Sequence, residues 1–491
     1  MLFIGIDLGT SSTKLLLSDE KGNILNTVSK DYPLMFPHPG WSEQDPDLWW
    51  KACKEGIPEL LKGFDASQVV GIGSGGQMHG LVILDKDDKV IRPAILWNDG
   101  RTSKEVNYLN NVIGKKKLSS FTANIAFAGF TAPKIMWVRD NEPENFSRIS
   151  KIMLPKDYIT YNLTGMHCCD YSDASGMLLL DVQHKVWSEE MLDTCTVGRG
   201  QMPWLFESYD VVGTLTEEAA SILGLPTSVK VVAGAGDNAA AAVGTGTVGE
   251  GKCNISIGTS GTVFISSDHF ALDPNNALHA FAHADGGYHL MGCMLSAASC
   301  NKWFCSDILG SDDYAALQKD IKREDLGNNH VYFLPYLMGE RSPINDTDAR
   351  GTFTGMTMDT DRKSMVQAVL EGVAFAIRDS VEVAKSLGIE IKRSKICGGG
   401  AKSELWKTIF ANVLGIPLDM VKTEQGPGFG AVMLAMVGCG LYPDVQSAAA
   451  ALVETASTVE PDPDLVALYE KKYQSFREIY PAMKELFKKL D

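Results

Sequence analysis

The sequence lacks long apolar runs: no stretch approaches the roughly 18 apolar residues typical of a membrane-spanning helix. It also lacks basic runs, and its 61 acidic residues outnumber its 45 basic residues, giving a net charge of −16. A chain this acidic binds nucleic acid and anionic membranes poorly, so we expect neither as a partner. A few local cations and backbone amides can still bind a phosphorylated small molecule.

Paired cysteine motifs are also missing. The ten cysteines are scattered, with no Cys-x-x-Cys and one adjacent pair, Cys168-Cys169. This argues against a disulfide framework or a cysteine zinc site and indicates a reducing compartment. The start of the chain has no basic segment and reaches Asp7 after six residues, so we interpret it as a first strand and not a signal peptide. We therefore expect a cytoplasmic protein.

Short β-branched runs alternate with longer helical patterns, which predicts an α/β fold. With 45% apolar and 22% charged residues, the chain has an ordinary globular composition and can bury a large core. The predicted strands are Phe3–Asp7, Lys14–Ser18, Val69–Gly73, Leu81–Leu84, Val229–Ala233, Asn254–Ile257 and Thr262–Ser266. The predicted helices are Asp45–Leu61, Thr102–Val112, Arg362–Leu387, Ser403–Leu414, Phe429–Val437 and a last helix over Asp464–Leu490 that is interrupted at Pro481. Residues 269–288 are predicted to be rich in loops.

A short sequence motif occurs once in each half of the chain, as an internal echo of the first copy. Gly9-Thr10-Ser11, after a predicted strand, resembles Gly258-Thr259-Ser260, after another, and a second strand follows each turn. This similarity favours two related domains, each opening with a strand-turn-strand unit. Two unrelated turns that share common turn residues are the alternative.

Both turns suit phosphate binding, because glycine lets the backbone approach closely while amides and hydroxyls donate to anionic oxygens. Lys14, on the returning strand, can add a positive charge. Asp7, just before the first turn, can hold Mg²⁺ through water, since this ion keeps several waters. Ordinary polar hairpins with a surface lysine are the alternative.

Asp237 follows a strand and the glycine turn Gly234-Ala-Gly236, and it precedes an alanine-rich helical pattern with Asn238 at its start. Spacing alone favours Asp237 as a helix N-cap. The second interpretation is a general base, which is compatible with the first because a helix N-terminus keeps a carboxylate ionised.

Three further segments have both a functional and a structural interpretation. Gln77-Met78-His79 lies in a glycine-rich turn between two predicted strands, where His79 can meet a ligand or be a structural histidine. Trp97-Asn98-Asp99-Gly-Arg101 can bind a polyol or be an ordinary loop. The turn Gly398-Gly399-Gly400-Ala401-Lys-Ser403 leaves room for a flat adenine or is simply a tight connection.

Taken together, these segments resemble the FGGY family of carbohydrate kinases from residue 3 to about residue 445. Gly129-Phe-Thr-Ala-Pro-Lys134-Ile-Met-Trp137-Val-Arg-Asp-Asn141 is similar to the first family pattern, and Gly351-Thr-Phe-Thr-Gly355-Met356 through Glu371 to the second, apart from Ser364. The segments around His79 and Trp97 are most similar to those of members that phosphorylate D-xylulose.

This resemblance implies an actin-like, ribonuclease-H-like fold of two domains, residues 1–246 and 247–491, around a central cleft. It implies ATP and Mg²⁺ as cofactors and a small-molecule sugar, D-xylulose, as substrate. The implied catalytic and metal-side residues are Asp237 and Asp7. The implied sugar-binding residues are Gln77, Met78, His79, Trp97, Asp237 and Asn238. The implied ATP-binding residues are Gly9, Thr10, Ser11, Lys14, Gly258, Thr259, Ser260, Gly399, Gly400, Ala401 and Ser403.

The main alternative is a kinase of the same family acting on ribulose, glycerol or gluconate. An actin-like ATPase without a sugar substrate is the alternative from another class. The complete set of sugar-site segments argues against the latter. The sequence leaves the oligomeric state open, with a homodimer among the options.

Overall fold

A computed structural model describes residues 1–422 and 425–490. Its framework is a pair of seven-stranded sheets, one built from each half of the chain. The N-terminal sheet runs, in spatial order, Val211–Thr214, Lys230–Val232, Val69–Gly76, Leu2–Leu8, Ser12–Asp19 and Ile24–Asp31, with Ala235–Gly236 also paired to Val69–Gly76. The C-terminal sheet runs His279–Ala282, Tyr288–Met294, Gly261–Ser267, Cys253–Ile257, Ser394–Cys397, Leu418–Val421 and Thr455–Val459.

The two sheets repeat one pairing pattern. Leu2–Leu8 pairs antiparallel with the next strand, Ser12–Asp19, and parallel with Val69–Gly76. Cys253–Ile257 likewise pairs antiparallel with the strand that follows it and parallel with Ser394–Cys397. Each hairpin turn from the internal echo therefore lies at the same place in its own sheet, which confirms the prediction of two related halves.

Helices surround both sheets. The α-helices are Pro46–Leu60, Ser103–Asn107, Lys115–Thr122, Thr131–Asn141, Pro143–Ser147, Pro155–Thr164, Tyr171–Ser175, Glu189–Cys195, Glu217–Leu223, Asp237–Gly244, Ala298–Lys302, Tyr314–Gln318, Arg362–Ser386, Glu404–Leu414, Gly426–Gly438, Val445–Leu452 and Pro463–Phe487. Segments Tyr108–Gly114 and Trp303–Ile308 are π-helical, and Ala66–Gln68, Arg199–Gln201, Arg323–Asp325 and Gly399–Lys402 are 3₁₀ turns. Short two-stranded pairings join Glu43–Gln44 with Ala94–Ile95, Val82–Leu84 with Lys151–Met153, Cys168–Asp170 with Trp204–Phe206, Leu180–Asp181 with Val186–Trp187, and Tyr332–Leu334 with Thr352–Thr354.

Two helix predictions need correction. The segment predicted as one helix over Thr102–Val112 is a short α-helix, Ser103–Asn107, that continues as a π-helix. The interruption predicted at Pro481 is wrong, because Pro463–Phe487 is a single helix. Its buried aromatic face packs against the C-terminal core, and such packing outweighs the local cost of a proline.

Helix Gly426–Gly438 comes from the second half of the chain but packs on the N-terminal sheet. A Cβ atom on Gly5 would lie 2.2 Å from the Gly428 oxygen, and one on Gly73 would lie 2.1 Å from the Ala431 oxygen. The glycines of the two central strands thus let the helix backbone approach directly. The contact joins the halves of the chain into one core.

The same helix crosses helix Asp237–Gly244, which continues from the N-terminal sheet. A Cβ atom on Gly430 would lie 1.8 Å from the Ala240 oxygen, so this crossing also depends on glycine. Across residues 1–422 and 425–490, we find no helix with the length and apolarity that crossing a membrane requires.

Candidate active site

The first hairpin brings Asp7 and Lys14 together. They are directly paired across the antiparallel strands, so their side chains emerge on the same face of the sheet. The turn between them is closed by a 3.0 Å hydrogen bond from the Gly9 amide to the Ser12 carbonyl oxygen. Thr10 and Ser11 lie in this turn. The hairpin therefore presents a carboxylate, an ammonium group and turn amides at one end of these two strands.

Asp7 and Asp237 are buried carboxyl groups, and the charge of Asp7 acts on Asp237. Burial raises the pKa of Asp7 to about 6, and the nearby Lys14 charge opposes this rise. Burial, together with the negative charge of Asp7, raises the pKa of Asp237 to about 7. A carboxyl group with a pKa near neutrality can accept a proton from a substrate and release it afterwards.

Asp237 is not the helix N-cap that its spacing favours. Gly236 occupies the cap position without a side-chain hydrogen bond, and Asp237 is the first residue of the helix. Its Oδ1 accepts hydrogen bonds from the Asn238 amide at 2.7 Å and from Asn238 Nδ2 at 3.2 Å. The other carboxylate oxygen remains available to a ligand, since none of the residues described donates a hydrogen bond to it.

His79 is a neutral hydrogen-bond acceptor toward the site. Its Nδ1 lies 2.7 Å from the Gly176 carbonyl oxygen, which can only accept, so Nδ1 carries the proton and Nε2 does not. Burial, together with the Lys134 charge, lowers the pKa of His79 to about 3. The ring also packs on Phe130, with centroids 4.8 Å apart. A bare Nε2 suits a sugar hydroxyl.

Met78 and Gln77 connect this turn to the other motifs. Asn238 Nδ2 lies 3.8 Å from the Met78 sulfur, which joins the His79 turn to the start of the Asp237 helix. The Gln77 amide nitrogen lies 3.4 Å from Gln44 Oε1 and 3.5 Å from the Gly9 oxygen. Gln77 Oε1 is buried without a hydrogen-bond partner. Its acceptor capacity is not used by any of the described residues.

The Trp97 segment divides into two parts. Trp97 is 49% exposed and donates a 3.0 Å hydrogen bond from Nε1 to Thr10 Oγ1 of the first hairpin. Asp99 and Arg101 are buried and pair with each other at 2.7 Å. Arg101 also stacks on Trp41, with Cζ 3.8 Å from the ring centroid. Trp97 thus remains exposed to a ligand, whereas Asp99 and Arg101 are engaged within the protein.

The second hairpin and the glycine turn border one large cavity of about 910 Å³. The Gly258 amide donates to the Ser260 oxygen at 3.0 Å, closing a turn one residue shorter than the first. The cavity is lined by Thr259, Gly399, Gly400, Ser403 and side chains of helices Ala298–Lys302 and Tyr314–Gln318. Ala401 lies within the same 3₁₀ turn as the glycines. Of the predicted ATP-binding residues, Thr259, Gly399, Gly400 and Ser403 thus lie around one cavity.

The Ser403 hydroxyl is already committed within the protein. It accepts the Trp406 amide at 3.2 Å as an N-cap and donates to Gln318 Oε1 at 2.8 Å. Ser403 therefore shapes the wall of the cavity and has no spare proton to donate to a ligand. A smaller cavity of about 190 Å³ lies between the halves and is lined by Asn238, Gln425 and other residues of both halves.

Sequence reasoning missed three residues that hold this site together. Lys134 donates from Nζ to the His79 oxygen at 2.8 Å, Gly176 accepts from His79, and Gln425 accepts from Lys14 Nζ at 2.9 Å. Lys134 stands in the first family-like pattern, which was a usable signal. Gly176 acts through its backbone oxygen, and Gln425 lies 411 residues from Lys14, so no local sequence pattern identifies either of them.

Comparison with known proteins begins with family models. The model "FGGY family of carbohydrate kinases, N-terminal domain" matches residues 2–244. The model of the C-terminal domain of the same family matches residues 253–439. The chain belongs to the FGGY family of carbohydrate kinases. It is a phosphotransferase that acts on an alcohol group, and its two-domain α/β fold is the actin-like fold of the FGGY sugar kinases.

Similar FGGY proteins align over nearly the whole chain. The xylulose kinase of Escherichia coli (strain K12) is 40% identical over 481 residues, covering 98% of each chain. A crystal structure described as a xyloylose kinase from Brucella ovis has a TM-score of 0.94 and 41% identity, covering 99% of this chain and 100% of that one. The gluconate kinase from Lactobacillus acidophilus has a TM-score of 0.93 and 28% identity, covering 100% of this chain and 99% of that one.

Proposed function

We propose that the protein transfers the γ-phosphoryl group of ATP to O5 of D-xylulose, giving ADP and D-xylulose 5-phosphate. The observation that carries this proposal is the 40% identity to the Escherichia coli xylulose kinase over 98% of both chains. The side chains at the cleft supply the groups that such a transfer needs.

Asp237 is the proposed general base. Its free carboxylate oxygen accepts the proton of the sugar hydroxyl as that oxygen attacks the γ-phosphorus. The pKa of about 7 keeps a substantial ionised fraction near neutral pH and still makes the carboxylate a competent proton acceptor. The Asn238 amide fixes the other oxygen, so the base enters the reaction already oriented.

The sugar is proposed to bind against the first half of the chain. The bare Nε2 of His79 accepts one sugar hydroxyl, and the unpartnered Gln77 Oε1 is a second acceptor. Asn238 Nδ2 and the exposed face of Trp97 complete the contacts, while Met78 supports Asn238 from behind. Neutral acceptors suit an uncharged ketose, whose hydroxyl groups donate.

ATP is proposed to bridge the two halves. The adenine and ribose occupy the 910 Å³ cavity beside Gly399, Gly400 and Ala401, where missing side chains leave flat space. The phosphates face both hairpin turns, Gly9-Thr10-Ser11 and Gly258-Thr259-Ser260, whose amides and hydroxyls donate to anionic oxygens. Lys14 then adds positive charge on leaving its hydrogen bond with Gln425. Phosphoryl transfer depends mainly on such positioning and charge neutralisation.

Mg²⁺ fits this site as a companion of the nucleotide. Across residues 1–422 and 425–490, we find no group of three or more His, Cys, Asp or Glu side chains able to hold a metal by themselves. The two carboxylates of Asp7 and Asp237 match a cation that takes one or two protein oxygens and completes its shell with water and phosphates. When bound, Mg²⁺ would neutralise charge on the transferred phosphoryl group.

We further propose that the boundary between two functional domains lies between residues 246 and 247. Residues 1–246 would supply the sugar site, the first hairpin and Asp237. Residues 247–491 would supply the second hairpin, the adenosine site and the C-terminal helices. The repeated sheet pattern supports this division, with helix Gly426–Gly438 as the element shared across it.

A kinase for gluconate is the second candidate, favoured by the likeness to the Lactobacillus acidophilus gluconate kinase. The test is ADP release with MgATP and D-xylulose, D-ribulose, glycerol or D-gluconate, beside a sample without sugar. We expect the highest kcat/KM with D-xylulose and a phosphorus NMR signal from a 5-phosphate. A higher kcat/KM with another substrate would replace D-xylulose, and equal ADP release without sugar would indicate an ATPase.

A further inference from the structure

Helix Tyr171–Ser175 is a five-residue element that contacts both functional groups of the sugar site. At its N-terminal end, Ser172 reaches the backbone next to Asp237. Just past its C-terminal end, the Gly176 carbonyl accepts the proton of His79 Nδ1 at 2.7 Å. None of these helix residues is needed to bind a sugar or ATP in the proposed mechanism.

Ser172 and Gly236 are joined by a directed hydrogen bond. The Gly236 amide donates to Ser172 Oγ at 3.1 Å, and Gly236 is the residue immediately before Asp237. The Ser172 hydroxyl in turn donates to Asp170 Oδ2 at 2.5 Å. Because its one proton goes to Asp170, the Ser172 oxygen faces Gly236 as an acceptor. The carboxylate thus sets the direction of the whole chain of hydrogen bonds.

Asp170 is a fixed anchor for this series of hydrogen bonds. It is fully buried, and its Oδ1 lies 3.0 Å from the equally buried Lys156 Nζ. Its Oδ2 also accepts a 2.8 Å hydrogen bond from Ser208 Oγ. Lys156 is held in addition by Asp157 at 2.7 Å. Side chains packed and paired in this way cannot shift without breaking several interactions.

The helix is tied to the second half of the chain as well. The Ala282 amide, on an edge strand of the C-terminal sheet, donates to Ser175 Oγ at 2.9 Å. The same short helix, with Gly176 just after it, thus forms hydrogen bonds to His79, to the turn before Asp237, and to the C-terminal sheet. Its placement fixes the separation between the sugar-binding imidazole and the base.

We propose that Ser172 is a positioning residue that orients Asp237 by holding the Gly236 amide against the Asp170 anchor. The inference rests on the proposed role of Asp237 as the base. Losing the hydrogen bond between Ser172 and Gly236, here called the tether, would let the start of helix Asp237–Gly244 shift. A misplacement of about 1 Å at a reacting group can cost up to a hundredfold in rate. Binding of ATP would be unaffected, because neither hairpin turn nor the cavity beside Gly399 includes Ser172 or Gly236.

The chain offers a matched control. Ser172 and Ser208 are both buried and both donate to the same Asp170 oxygen, but only Ser172 touches Gly236. Full-length Ser172→Ala and Ser208→Ala should be compared using whichever sugar the wild type phosphorylates best. We expect kcat to fall about 10- to 100-fold in Ser172→Ala, with the KM for ATP within about twofold, and kcat within about threefold in Ser208→Ala. Equal kcat values in the two variants would overturn the proposal.

A second measurement does not depend on turnover. Amide hydrogen exchange, followed by mass spectrometry, should be faster by about tenfold in peptides covering Gly236 for Ser172→Ala and unchanged for Ser208→Ala. If the alanine variant does not fold, the same comparison is made with Ser172→Cys and Ser208→Cys, which fill the site with a somewhat larger side chain and weaken the acceptor. A wild type inactive on every sugar contradicts the proposed function. Unchanged exchange at Gly236 contradicts the tether, whatever the activity.

Discussion

Replacing Asp237 by asparagine isolates its role as a base. The amide has nearly the same size as the carboxyl group, and its oxygen can still accept the Asn238 amide that now lies 2.7 Å from Oδ1. The fold and both binding sites should therefore survive. Asparagine cannot accept the proton of the sugar hydroxyl, so we expect kcat to fall by about 10²–10⁴-fold, or about 3–5 kcal/mol of transition-state stabilisation.

The pH dependence of the wild-type enzyme tests the general-base role of Asp237 independently. Burial and the Asp7 charge raise the pKa of Asp237 to about 7, so the protonated, inactive form dominates below that pH. With ATP well below its KM, kcat/KM for the sugar should rise about tenfold per pH unit below pH 7 and level off above about pH 8. In Asp237→Asn this limb should disappear.

The assay couples ADP release to NADH oxidation at saturating substrates, with sugar and ATP affinities measured by calorimetry. Asp379→Asn is the control, because Asp379 is also a buried carboxyl group whose pKa is raised, to about 6, but it lies under the C-terminal helix against Tyr473. Its kcat should stay near wild type. If Asp237→Asn retains kcat within about fivefold of wild type, the general-base assignment is refuted.

Three further changes test neighbouring parts of the site. Asp7→Asn removes the negative charge that raises the pKa of Asp237, so the rising limb of kcat/KM should move to lower pH; a limb that stays in place would contradict the coupling. His79→Ala should raise the KM for sugar at least about tenfold and that for ATP less than twofold, whereas equal effects would indicate a structural histidine. A Cβ on Gly399 meets no atom within 4 Å, so Gly399→Val should fold normally and raise only the KM for ATP, by about tenfold or more, whereas Gly200→Val, also in open space, should leave it unchanged.

Features encoded by local patterns were predictable from the sequence. The two Gly-Thr-Ser turns are flanked by β-branched strands, and each sits between the first two strands of its sheet. The glycine turn before Ser403 was expected to leave open space, and it borders the largest cavity described here. In such segments the side-chain pattern and backbone permissiveness specify the structure within a few residues.

Features that depend on distant partners were not predictable. Spacing favoured Asp237 as an N-cap, but the helix begins one residue earlier, at Asp237, with Gly236 in the cap position. The Gly236 amide donates to Ser172, which is 64 residues away in sequence. Asp99 and Arg101 looked available to a polyol until folding brought Glu43 and Trp41 to them. No single-sequence pattern identifies such partners, because their contacts arise only from tertiary packing.

The packing of helix Gly426–Gly438 on the N-terminal sheet has a consequence for biosynthesis. The sheet strands are complete once the ribosome has passed Gly244, yet the glycine-lined surface of Gly5 and Gly73 stays uncovered until this helix emerges. At about 5–20 residues per second, the delay is roughly 10–40 s. During that interval the nascent first half presents an apolar groove to the solvent. A ribosome-associated chaperone or slow aggregation would compete for that groove, and truncation before residue 426 would leave the groove exposed permanently.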